Sequence, residues 1–117
     1  MATVTRRALS GSTNGRGIKV TGTTIAAAVT VHTAVAGTTD FDEIWVWAHN
    51  ISSRSVRLTT AFGGTTIPDD LIVTTLRPRE LTLICPGLIL QNGLIVKARA
   101  GLANKITLHG YVNRIDY

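Results

Sequence analysis

The chain has 117 residues and a formal net charge of +5, a length that fits one domain and leaves no room for two. Apolar residues make up 44% of it, enough to build a core, which argues against a wholly disordered chain. Cys85 is the single cysteine, so an intrachain disulfide is excluded and folding in a reducing cytoplasm is expected.

Residues 1–22 show no sustained hydrophobic period. Arg6, Arg7, Arg16 and Lys19 precede the first acid, Asp40, while the remainder holds eight bases and seven acids. The charge therefore belongs to a segment rather than to a body. We expect an extended N-terminal arm over residues 1–22 and a domain over 23–117. A basic, Gly/Ser/Thr-rich arm suits an acidic partner surface, with those four side chains as contact charges. The alternative is a tail kept solvated by its charges. The segment lacks the apolar stretch of a signal peptide. No apolar run reaches about 18 residues, so no membrane span is expected.

Strand signals follow. The chain has 18 threonines together with many Val and Ile, β-branched residues that pack well on a pleated surface. Residues 24–35 read as one long β-branched run, with the Ala26-Ala27-Ala28 triplet as a bend or bulge. Residues 43–49 alternate: Ile44, Val46 and Ala48 take one face, and Trp45, Trp47 and His49 the other. That strand is apolar on both sides. One side suits a core. The other needs cover from a loop, the arm or a neighbouring subunit, which makes Trp45 and Trp47 candidate interface residues.

Val56, Leu58, Thr60 and Phe62 share the face of a further strand. A short helical turn is expected around Pro68-Asp69-Asp70-Leu71. Residues 71–76 form a strand ended by Arg77-Pro78, and 81–85 another ended by Pro86-Gly87. Asn92-Gly93 signals a hairpin. Two more alternating runs, led by Leu94 and Ile106, finish the chain. The expected fold is all-β: an antiparallel β-sandwich (jelly-roll or Ig-like) or small barrel of about seven or eight strands.

Chemistry-bearing residues are scattered. His32, His49 and His109 lie on three strands without metal-ligand spacing and read as strand histidines in polar surroundings. Cys85 reads as a buried small hydrophobe. Asp40, Asp42, Glu43, Asp69 and Asp70 read as solvated turn acids. No nucleophile–base pair stands out, so no enzyme, cofactor or metal is expected. Exposed aromatics do not interleave with a basic face, which reads against nucleic acid.

Four stretches carry a resemblance. Val4-Thr5-Arg6-Arg7-Ala8-Leu9-Ser10-Gly11-Ser12, Gly37-Thr38-Thr39-Asp40-Phe41-Asp42-Glu43-Ile44-Trp45, Pro86-Gly87-Leu88-Ile89-Leu90 and Gly110-Tyr111-Val112-Asn113-Arg114-Ile115 resemble small virion proteins of tailed bacteriophages. The resemblance implies a capsid decoration or cement protein on the virion surface. It would be made in the host cytoplasm and bound to the major capsid protein as a homo-oligomer, a trimer being favoured. Another virion part (head fibre base, neck or connector, or tail component) is the first alternative. A carbohydrate-binding β-sandwich, with Trp45, Trp47 and Tyr111 stacking on sugar faces, is the second.

Overall fold

The computed structural model describes residues 2–117. Nine strands follow in order: β1 (Thr3–Ala8), β2 (Ile18–Val20), β3 (Val29–Thr33), β4 (Phe41–Asn50), β5 (Val56–Phe62), β6 (Leu71–Leu76), β7 (Leu81–Leu90), β8 (Ile95–Ala100) and β9 (Ile106–Asp116). They form two antiparallel sheets. The front sheet runs β1-β9-β4-β7, with β2 also on β9, and the back sheet runs β3-β8-β5-β6.

β1 and β2 act as one interrupted strand. β1 pairs with the C-terminal half of β9, Thr3 against Asp116 through Ala8 against Tyr111. β2 continues along the same edge, Ile18 against Leu108 through Val20 against Ile106. Counted so, the strands pair as nested partners: β2 with β9, β3 with β8, β4 with β7 and β5 with β6. Every connection after β2 changes sheet, except the β5–β6 hairpin. This is the strand order of a jelly roll. The expected β-sandwich is present.

The core lies between the sheets and follows the period of two. From β4 come Ile44, Val46 and Ala48, and from β9 Ile106, Leu108 and Val112. The back sheet supplies Val31, Val56, Leu58, Leu76, Val96 and Ala98.

Several expectations are corrected. Of the segment expected as an arm over 1–22, Met1 lies outside the described residues, and residues 2–22 are not apart from the domain: β1 and β2 are sheet strands, and Leu9, Ile18 and Val20 are buried in the core. No period was legible there because residues 9–17 leave the sheet between the two pieces. That excursion crosses to the back sheet, where the Gly11 amide donates to the Val31 carbonyl at 2.9 Å and the Thr33 amide to Ser10 Oγ at 2.7 Å.

The strand expected over 24–35 is only Val29–Thr33, and Ile25 is exposed. The sequence around Pro68 forms a hydrogen-bonded turn, not a helix, with the Asp70 amide on the Thr66 carbonyl. Pro86 does not end its strand. β7 runs through it because β7 is an edge, where a missing N–H breaks no ladder. Two bulges there absorb the irregularity. Asn92 and Gly93 both take positive φ, 62° and 67°, as a tight hairpin turn requires. The strands they join nonetheless belong to different sheets, because β7 pairs with β4 and β8 with β3 and β5.

Candidate functional site

The outward-facing residues of the front sheet fall into rows set by register. Lys19, Thr107, His49 and Leu81 lie across β2, β9, β4 and β7. Beside them stand His109, Trp47 and Leu83, then Ala8, Tyr111, Trp45 and Pro86, then Arg6, Asn113, Glu43 and Ile89. The face is thus graded: basic along β1 and β2, aromatic through β9 and β4, aliphatic along β7. Leu81, Leu83 and Ile89 are exposed, and the two tryptophans are half-buried.

Trp45, Trp47 and Tyr111 form one cluster. Their ring centroids lie 6.1–6.4 Å apart, with planes within 34° of parallel, a separation at which aromatic pairs attract. Trp45 Nε1 donates to Glu43 Oε1 at 2.8 Å, which fixes its ring. Gly87, at φ 73°, lets that ring lie against β7, since a Cβ there would meet the indole at 2.9 Å. The Arg6 guanidinium sits 4.7 Å from the Tyr111 centroid, an exposed cation–π contact worth about 0.5–1 kcal/mol.

Two hollows share His109 as a common wall. One, of about 430 Å³, is lined by Trp47, His49, Leu81 and His109. The other, also about 430 Å³, is lined by the 9–17 excursion, β2 and β9: Arg16 and Lys19, the hydroxyl side chains Thr13 and Thr107, and His109. Gly17 brings the excursion close, since a Cβ there would strike His109 at 2.7 Å. Among the described residues the ion pair is Arg114–Asp42, and His32 hydrogen-bonds the same carboxylate. Arg6, Arg16 and Lys19 take part in neither. Volumes of this size are typical of ligand sites, and the chemistry joins an anion-receptive end to an apolar one.

Of the residues expected to make contact, the structure therefore gathers Arg6, Arg16, Lys19, Trp45 and Trp47 onto one face. Arg7 lies on the other side of β1, opposite Val112, and is exposed. Among the described residues, the neighbours of the Trp45 ring include Glu43, Trp47, Gly87 and Tyr111. The partial cover of the tryptophans comes from neighbours within the sheet. Sequence reasoning missed His109 and the β7 aliphatics as parts of this surface. Alternation puts His109 in phase with Tyr111, but only the register brings Leu81 and Leu83 beside Trp47 and His49.

The three histidines do not converge. His49 and His109 line the same hollow, whereas His32 is buried between the sheets. Among the described residues, no group of three or more His, Cys, Asp or Glu side chains is placed to hold a metal ion.

Asp42, expected to be a solvated turn acid, is buried, as is His32. The Ser10 amide donates to His32 Nδ1 at 3.0 Å. That nitrogen is therefore the acceptor, and Nε2 carries the proton that meets Asp42 Oδ2 at 2.7 Å. Arg114 closes a fork on the same carboxylate, Nε to Oδ1 at 2.8 Å and Nη2 to Oδ2 at 3.1 Å. Burial pushes the Asp42 carboxyl up, but hydrogen bonds from Arg114 and His32 and the charge of Arg114 outweigh it and hold the group below its ordinary value. The missed signal is phase. Asp42 continues the Ile44-Val46-Ala48 face by one step, and Arg114 continues the Leu108-Gly110-Val112 face.

Cys85 is fully buried, and burial pushes its thiol up to about 12, so it stays protonated and unreactive. No protein-family model, curated protein or solved structure matches the chain.

Proposed function

We propose that this chain is a non-enzymatic structural protein of a tailed-phage virion, a capsid decoration or cement protein that binds the outer surface of the major capsid shell. The observation that carries this reading is the graded front face: cations without carboxylate partners at one edge, a fixed half-buried aromatic cluster in the middle, and exposed aliphatic side chains at the other edge. Such a face suits a protein interface with an apolar centre and a charged rim.

The partner it complements is an acidic shell surface with apolar side chains beside the acids. Arg16 and Lys19 would meet carboxylates while Trp47 and Leu81 take the apolar groups. Further support comes from where the resemblance falls. Its four stretches contribute to β1, β4, β7 and β9, which stand side by side in the front sheet. Weak contacts of this kind hold a shell by repetition over a lattice.

The test is to add purified protein to phage heads that lack it and to count bound copies by electron microscopy. Hundreds of copies per head are expected, with binding lost in a Trp47→Ala/Arg16→Glu variant and weakened by salt. Equal binding by that variant would sink the reading. About a dozen copies or fewer would favour a connector or fibre base.

A second reading is a carbohydrate-binding module, favoured by the convergence of Trp45, Trp47 and Tyr111 beside a hollow. A glycan array probed with the wild-type protein separates the two.

A further inference from the structure

The two sheets have four edges, and three of them are blocked. β1 and β2 carry Arg6, Arg7 and Lys19. β3 has a bulge between Thr30 and His32 and is covered by the 9–17 excursion. β7 has two bulges and Pro86. These are the devices by which natural sheets prevent edge-to-edge pairing. β6 has none of them. Leu71-Ile72-Val73-Thr74-Thr75-Leu76 is uncharged, lacks proline and pairs with β5 without a register shift.

The hydrogen-bonding phase shows which backbone groups are open. The Phe62 amide donates to the Asp70 carbonyl at 2.8 Å, so Thr60–Ile72, Leu58–Thr74 and Val56–Leu76 are the bonded pairs of the ladder. Val73 and Thr75 therefore turn their N–H and C=O groups away from β5. The Leu71 amide turns outward too and is taken by the Pro68 carbonyl at 3.3 Å.

We propose that β6 pairs antiparallel with β6 of a second copy about a twofold axis at Val73, joining two back sheets into one eight-stranded sheet. Val73 exchanges both backbone hydrogen bonds with its counterpart, and each Thr75 amide meets the Leu71 carbonyl of the second copy. This register sets Asp69 of one copy opposite Arg77 of the other, twice. The uncharged strand is thus flanked by an acid at one end and a base at the other, in the order that antiparallel self-pairing requires. A twofold contact differs from the threefold that the phage resemblance implies. It also stands independently of the front-face reading.

Light scattering coupled to size exclusion tests this on the full chain, with circular dichroism to check folding. The wild type is expected to run as a dimer at micromolar concentration. Val73→Pro removes an outward N–H and no ladder bond, so it should give a folded monomer. Val73→Lys, which sets like charges across the axis, should do the same if the proline variant fails to fold. Asp69→Arg and Arg77→Asp should each weaken the dimer, and the double exchange should restore it. A monomeric wild type, a dimer that survives both Val73 substitutions, or an exchange that restores nothing would overturn the proposal.

Discussion

The seam between the sheets and the outer face of the front sheet use similar side chains in opposite ways. In the seam, His32, Asp42 and Arg114 satisfy one another. At the other end of β4, Asn50 Nδ2 donates to the carbonyls of Arg54, Leu76 and Arg77. Among the described residues, no buried side-chain nitrogen or oxygen lacks a partner. On the outer face, Arg16 and Lys19 border a hollow without a carboxylate, beside half-buried aromatic and exposed aliphatic side chains. A polar group in the interior must be paired or the fold pays a penalty. A cation in water carries no such obligation, and its clustering beside exposed apolar residues is the feature on which the proposed partner contact rests. The seam holds this chain together, and the face is available to another.

That contrast can be broken or sharpened by experiment, beginning with the largest effect. Asp42→Ala should cost about 3–5 kcal/mol in urea denaturation, because it strands a buried histidine and the Arg114 guanidinium. A loss below about 1 kcal/mol would show that the seam relaxes and the contrast is overstated.

The pH dependence of stability comes next. The folded Asp42 carboxyl is held below its unfolded value of 3.8. Its contribution is therefore complete at neutral pH and is lost as pH falls through the unfolded value toward the folded one. Asp42→Asn should flatten that acid limb relative to the wild type, as followed by thermal melts from pH 6 to about pH 2.

Trp47→Ala should cost only about 1 kcal/mol of stability, since the ring lies outside the core, half-buried, and gains mainly from its aromatic neighbours. Smallest of all, Arg16→Glu with Lys19→Glu should change stability by within about 0.5 kcal/mol. The same pair should abolish head binding. A variant that loses both stability and binding, or neither, would erase the distinction between the two regions.

The sandwich was legible because alternation and turn residues report local geometry. Ile44, Val46 and Ala48 announced the core face of β4 correctly. Pairing is not local, and it decided most of what was missed. Nothing near Asn92-Gly93 says that its strands separate into different sheets. Nothing near Thr3 says that it lies beside Asp116. The seam was partly readable, since Asp42, Asn50 and Arg114 keep the inward phase of their strands. A charged residue at a strand end reads as solvated until a partner on another strand is known. The face was half legible: its tryptophans stood out, but the placement of Arg16, Lys19, His109 and Leu81 around them depends on four registers.

The nested winding also sets a timetable for folding. Ala61 and Leu71 meet across one short loop, whereas Thr3 must find Asp116 across almost the whole given chain. Closing a longer loop costs more chain entropy, and that cost is repaid only when its contacts form. Assembly should therefore spread outward from the β5–β6 hairpin, with β1 the last strand to dock. A strand laid down last, exposed along its whole length and held by a single neighbour, should also be the first to lift. In hydrogen exchange, its amides should trade with solvent well before those at the centre of β4.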